Sequence, residues 1–486
     1  MLNRKMAAGL TLFALLVIPA SFGQNAGRFD IRVFGAIGNG TDSDTTSIQK
    51  AILAANRAGG GTVVFPPGKY RSGTLELLSN VTIELQPGAV LQGSSNVADY
   101  GTSSNYGFGR NYGIDSSGEG SRVGMLVARN AANIAIIGSG TIDGSGDSFF
   151  DLKSFHNTPD FDPTYTRQGT DFDAPKYGLE FGPIEMHPTG RPGTMIILSN
   201  CRNVAIRDVT LSNAPNWTLH LQGTEQAVIS GIRISNDVRI PNNDGIDCMR
   251  CKKVQISDCD IRTGDDDFAI VSSEDVHVTN CSLASYSAAV RLEDSRYATF
   301  SNLSIHTNRG LAIFSRGEEH TTHVEFSNIV METQLITGHW WGKGEPIYIA
   351  ARKGNGKAEI GDIHFTNITV EAEGGIMLYG APDSILRDIY LEGIRMHVRA
   401  PLAKIAESVG GNFDLRWTAT NLSEAIFKHD IPALYVRYAD GLRINGFDLT
   451  WSDNLPSYFT DFLQAQDSRN IDITNARIDT PPASSH

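Results

Sequence analysis

The sequence predicts an all-β chain wound as a single parallel β-helix, closed at its N-terminal end by one short helix. Three observations predict it: a strand–Asn/Asp–strand unit recurs along most of the chain, apolar residues alternate within each unit, and no helical pattern of ten or more residues separates the units. The unit reads NVAIRDVTLSN at 203–213, AVISGIRISN at 227–236, KVQISDCDIRTG at 253–264 and DVHVTNCSLAS at 275–285. It continues as YATFSNLSIHT at 297–307, HVEFSNIVMET at 323–333 and DIHFTNITVEA at 362–372, with weaker copies at 442–451 and 471–480. Upstream, NVTIELQPGAVLQG and NIAIIGSGTIDGSG have the same style. Taking Val204, Val228, Val254, Val276, Ala298 and Val324 as equivalent gives separations of 24, 26, 22, 22 and 26 residues. A period in this range marks a stacked array.

Each element follows from that reading. Val254 and Ile256, like Val276 and Val278, alternate as strand residues with one buried face do. Their β-branched character agrees. The missing helices exclude a βαβ sheet and a helical horseshoe. Coils of about 22 residues that bury apolar faces only against their neighbours leave a parallel β-helix. Asn280, Asn302, Asn328 and Asn367 fall at one corner, where asparagine tolerates left-handed geometry and can bond the asparagine one coil on. Residues 44–58 carry the one clear amphipathic helix pattern, with Asp44 as N-cap and Gly59-Gly60-Gly61 as its end. That helix is the expected cap of the solenoid. Long segments at 97–125, 144–190, 334–345 and 400–432 are expected to wall a binding face.

The first 23 residues read as an export signal: Arg4 and Lys5, an apolar run from Ala7 to about Ala20, and small residues before Gln24. The β-helix domain is then expected over 28–480, in a protein exported to the periplasm or outside the cell. No later segment is apolar enough to span a bilayer. The chain has 486 residues and a formal net charge of −13. No Lys/Arg-rich stripe offsets that charge, which argues against nucleic acid as a partner. Cys201, Cys248, Cys251, Cys259 and Cys281 make an odd count. Cys248-x-x-Cys251 has the spacing of a metal or redox pair, but no second pair or nearby His completes a zinc site. They read as small buried side chains in stacked coils. No cofactor or metal is called for, and a monomer is expected.

The chemistry concentrates in NNDGIDCMRCKKVQISDCDIRTGDDDFAI at 242–270. Asp244 and Asp265 are 21 residues apart, close to one coil. Residues one coil apart stack on the same face at about 4.8 Å, so Asp244, Asp265 and Asp266 are expected to form one carboxylate cluster. Crowded carboxyls raise one another's pKa. One protonated and one ionised carboxyl is what glycoside hydrolysis requires. Acidic turns and Ca²⁺ binding are the competing readings of such a cluster. By alternation, one of the neighbours Asp265, Asp266 and Asp267 must point inward, and a buried Asp needs partners.

In these residues the chain resembles the polygalacturonase-like glycoside hydrolases of family 28. The resemblance starts at FDIRVFGAIGNGTDSDTTSIQKAI, runs through GGGTVVFPPGKYRSGTLELLSNVTIELQPGAVLQGS and RPGTMIILSNCRNVAIRDVTLSNAPNWTLHL, and peaks at NNDGID and TGDDDFAI. It implies a right-handed parallel β-helix of the pectin-lyase-like kind and inverting, pectin-directed hydrolysis. It also implies Asp266 as general acid, with Asp244 and Asp265 holding and activating water. Two of the family's blocks are missing. A Gly-His-Gly block is replaced by ASYSAAVRL, with Ser287 about where the His would sit. An Arg-Ile-Lys block that grips a substrate carboxylate is replaced by RGLAIFSR, with Ala312 and Phe314 in place of the two cations. Arg291, Arg309, Arg316 and Lys343 are the candidate replacements. Asp267 stands where the family commonly has Cys.

HWWGKGEP at 339–346 offers Trp341 to stack on a sugar ring, with Trp340 packed beneath the loop. Lys343 and Glu345 could bond hydroxyls. Trp217 is expected at a coil corner; His220, His306 and His339 have no ligand spacing. The expected partner is a polysaccharide or oligosaccharide containing uronic acid. A polysaccharide lyase and a non-catalytic glycan-binding solenoid remain alternatives, because fold alone does not separate them.

Overall fold

The structure is a computed structural model that describes residues 27–106, 122–155, 159–173, 177–178, 184–315, 320–338, 340–351 and 359–481. The segment read as an export signal lies outside the described residues. So do Arg316, His339 and the middle of the 97–125 excursion.

One sheet of 33 strands runs from Gly27 to Ile478, each strand pairing in parallel with its counterpart one coil on. Leu219 pairs with Ile246, Ile246 with Phe268, Phe268 with Val290, Val290 with Leu311, and Leu311 with Ile347. The chain is therefore a right-handed parallel β-helix. Its core is a set of inward columns. In one of them Val204, Ala227, Val254, Val276, Ala298 and Val324 stack in register and are all buried. Beside it, the rings of Phe300, Phe326 and Phe365 lie nearly parallel at 4.8 and 5.1 Å. This corrects one position. Ala227, not Val228, belongs to the column, and Val228 pairs with Ala205 on the opposite face. A one-residue slip reverses a strand's faces, and here the smaller residue points inward.

The corner asparagines form ladders. Asn280, Asn302, Asn328 and Asn367 all have φ near 56°. Asn302 Nδ2 donates to Asn280 Oδ1 at 3.2 Å, and Asn367 Nδ2 to Asn328 Oδ1 at 2.8 Å. An earlier ladder links Asn203 to Asn133 and Asn133 to Asn80 at 2.7 Å each.

The capping helix spans Thr45–Arg57 and buries Ile48, Ala51, Ile52 and Ala55 against the first coils. Asp44 precedes it but does not cap it with its side chain. Instead its carboxylate accepts from the Ile37 and Gly38 amides at 2.6 and 3.1 Å, tying the helix start to the preceding turn. All five cysteines are free and buried.

Three excursions meet on one flank. The 144–190 segment contributes Phe161 and Phe172, 334–345 contributes Leu335, and 400–432 contributes Val409, Ala425 and Ile426 to a small separate core. Arg167 fastens the first to the third, donating to Asn412 Oδ1 from its amide at 2.7 Å and pairing with Asp430 at 2.6 Å. Beneath them, burial pushes the Asp414 carboxyl up, but Arg416 and Arg309 outweigh it and hold Asp414 well below the usual carboxylate range. Arg416 approaches Asp414 to 2.8 Å and Arg309 to 3.8 Å. No described helix is long and apolar enough to cross a membrane.

Candidate active site

Close coil stacking assembles the site. Asp244 lies just before the strand Ile246–Met249, and Asp265, Asp266 and Asp267 just before Phe268–Val271. The Gly245 amide donates to Asp266 O at 2.9 Å. A Cβ on Gly245 would stand 2.4 Å from Asp267 O, so the glycine after Asp244 lets the two turns touch. Extending the strand register two residues back sets Asp244 beside Asp266. The nearest oxygens of Asp244, Asp265 and Asp266 all lie within 4.8 Å of one another. Such a trio could hold a hard cation if other oxygens completed its shell.

The three carboxyls have different surroundings. Asp266 Oδ1 accepts from Ser287 Oγ at 2.9 Å and from the Ala288 amide at 3.2 Å, and Arg291 lies 3.7 Å from its other oxygen. Ser287 thus acts directly on the acidic cluster. Burial raises the Asp266 pKa and Arg291 moderates the rise. Asp265 accepts from Asn242 Nδ2 at 3.3 Å, and burial, then Asp266, pushes it up to about 7. Among the described residues Asp244 Oδ1 has no hydrogen-bond partner, and burial together with Asp265 pushes its carboxyl well up.

Two further aspartates complete the group. Asp267 is the neighbour that points inward, fully buried, with Thr263 Oγ1 2.9 Å from its Oδ1. Burial pushes it well above the usual range. Asp247 was not anticipated. It pairs in the strand ladder with Ala269, which pairs with Arg291. The small Ala269 side chain leaves Asp247 within the electrostatic reach of Arg291. Its signal was the alternation after Asp244, which places Ile246 inward and Asp247 outward.

A cleft of about 170 Å³ opens over the cluster. Arg291 lines it, as do Asn242, Trp217, Phe314, Trp341 and Trp417. Trp217 therefore faces the cleft rather than packing away at a corner, since the coil register places it just ahead of Asp244. Trp340 is buried edge-on against Tyr286. Trp417 carried no sequence signal, because the distant 400–432 excursion delivers it. Of the candidate cations, Arg291 pairs with Glu293 at 2.8 Å and lies 4.0 Å from the Trp417 ring centre. Arg309 reaches the cleft wall but is bonded to both Glu345 oxygens at 3.3 Å. Lys343 and Glu345 lie under the loop beside a separate small cavity, away from the three aspartates. Buried His220 packs edge-on against Trp217, and burial lowers its pKa to about 4. His306 is on the outer surface, 3.3 Å from Glu332.

Fold and site together define a class: parallel β-helices that present stacked carboxyls in an aromatic cleft. The model of glycosyl hydrolases family 28 matches residues 185–285, and that of rhamnogalacturonase A/epimerase, pectate lyase-like, matches residues 29–158. The chain is 28% identical over 249 residues to a probable polygalacturonase of Vitis vinifera, covering 50% of this chain and 44% of that one. It is 28% identical over 255 residues to an exo-poly-alpha-D-galacturonosidase of Dickeya chrysanthemi, covering 49% and 40%. The chain thus spans less than half the length of these two relatives. Among solved structures, a family 28 exopolygalacturonase of Yersinia enterocolitica shares the fold with a TM-score of 0.63 at 17% identity, over 94% of this chain and 79% of that one. An exopolygalacturonase of Thermotoga maritima gives 0.61 at 21% identity, over 78% and 88%. Over residues 185–285 this chain is similar to glycosyl hydrolase family 28, and its fold is that of the solved exopolygalacturonases.

Proposed function

We propose that this chain is an exported glycosidase that hydrolyses a pectic or related uronic-acid-containing polysaccharide or oligosaccharide with inversion. The observation that carries the reading is the trio Asp244, Asp265 and Asp266, with oxygens within 4.8 Å at the floor of an aromatic cleft. Carboxyls so close and so buried cannot all be ionised at neutral pH, so the cluster keeps a proton to give and a carboxylate to take one. Asp266 is the proposed acid. Ser287 Oγ, the Ala288 amide and Arg291 favour its ionised form and so ease release of its proton to the departing oxygen. Asp244 and Asp265 then hold and activate water. This spacing is shorter than the roughly 6.5–9.5 Å of many inverting enzymes, so inversion rests on the likeness to family 28. Elimination has weaker support: burial opposes the Arg291 charge, but Glu293 and Asp266 hold its pKa above the usual range, making it a poor base.

The test is digestion of defined pectic oligosaccharides by the wild type and by Asp266→Asn. New reducing ends without ultraviolet absorbance are expected, with the product anomer inverted by NMR. The variant should lose about 10²–10⁴-fold in kcat while melting like the wild type. Full activity in Asp266→Asn would remove it as the acid, and absorbing products would make the chain a lyase.

A further inference from the structure

We propose that the sugar ring seated beside the three aspartates is uncharged, so that this site takes a neutral pyranose within a pectic chain rather than a uronate. The place in a polymer rests on the hydrolase reading above; the charge preference does not depend on turnover.

The first support is the charge of the lining. Asp244, Asp265 and Asp266 face the cleft and Asp247 lies beside them. Among the described residues only Arg291 and Arg309 bring positive charge to the cleft wall, and both are committed. The Arg291 side chain is 16% exposed, bonded to Glu293 and near Asp266. That of Arg309 is 1% exposed, held by Glu345 and Asp414, with its guanidinium 3.8 Å from the Tyr348 ring centre. A uronate entering here would shed its water and meet an excess of acidic groups with no uncommitted cation to receive it, an unfavourable burial of charge.

The second support is what stands where charge is missing. Ala312 is in register with Arg291, and Phe314 with Glu293. Neither offers a hydrogen bond from its side chain. The Phe314 ring leans on Trp417 at 5.8 Å, and Trp417 meets Trp341 edge-on at 5.6 Å. With Trp217 also lining it, the cleft presents four aromatic side chains. These suit the C–H face of an uncharged ring. The third support is size: about 170 Å³ is below the roughly 300–1,000 Å³ of pockets for drug-sized ligands, so the space beside the aspartates fits a single ring.

The test uses the full-length protein and its intrinsic tryptophan fluorescence. It is titrated with oligogalacturonides, with the same oligosaccharides after carboxyl reduction to neutral galactose units, and with neutral methyl hexosides and deoxyhexosides. At least one neutral ligand should bind about tenfold or more tighter than the uronate oligosaccharides, about 1.4 kcal/mol. Uronates binding as tightly as every neutral ligand, or no saturable binding of any neutral ligand, would overturn the proposal. Glu293→Gln removes the acidic partner of Arg291 and should raise uronate affinity about fivefold or more relative to neutral sugar; an unchanged ratio would also count against it. Binding that favours neutral sugar without hydrolysis would sink the hydrolase reading and leave this inference standing. Hydrolysis of unsubstituted polygalacturonate with preferred uronate binding would do the reverse.

Discussion

Asp265 illustrates how much a single carboxyl sets at this site. Its proton is held up to about pH 7, by burial first and by Asp266 second. An unfolded aspartate releases its proton near pH 4. Between those values the folded chain binds more protons than the unfolded chain, so stability falls as pH rises through that window and the full cost is present above about 7. Asp265→Asn should therefore raise the melting temperature by about 2 °C or more at pH 8 and give no gain at pH 4, as thermal melts at the two pH values would show. In the wild type, kcat/KM should rise with pH up to about 7, as Asp265 loses the proton that keeps it from activating water. The aspartates themselves were legible because NNDGID and TGDDDFAI are one coil apart, and stacked coils turn that spacing into proximity. Roles that depend on distant chain were not legible. Arg309 and Lys343 read as substrate cations from local sequence, yet Glu345 occupies Arg309 and the loop covers Lys343.

At the scale of elements, the asparagine ladders and the flank lobe differ in how local their causes are. Each ladder position repeats the same left-handed corner, so the sequence repeats the same residue. Asn302→Gly keeps that backbone and loses the amide contact to Asn280, whereas Asn302→Ala also takes on the left-handed strain. The alanine variant should be less stable than the glycine variant by about 1 kcal/mol, measured by chemical denaturation. The lobe has no periodicity, since its ties join Arg167 to Asn412 and Asp430 across about half of the chain. Its anchor is Asp414, buried between Arg416 and Arg309. Asp414→Asn leaves two buried guanidinium groups short of a counter-charge, and breaking such a pair costs about 3–5 kcal/mol. The lobe carries Trp417, so the variant should shift tryptophan emission and weaken sugar binding while the circular dichroism of the solenoid persists.

For the whole molecule, stability propagates from coil to coil, and an uncovered end is an open template for another chain. The helix Thr45–Arg57 covers the first coils with Ile48 and Ile52 fully buried. Ile52→Asp should lift that cover and produce concentration-dependent larger species in light scattering, whereas the wild type is expected to remain monomeric. The interior holds one more consequence. The Thr263 hydroxyl has a single hydrogen, and the Asp265 carbonyl lies 2.6 Å away to accept it. The same hydroxyl stands 2.9 Å from Asp267 Oδ1, and burial pushes the Asp267 carboxyl well above the usual range. A neutral carboxylic acid is therefore the expected form of Asp267 inside the solenoid. Its infrared carbonyl stretch should persist in alkaline buffer, vanish in Asp267→Ser, and shift on deuteration only as fast as adjoining coils part, making one side chain a clock for the breathing of the stack.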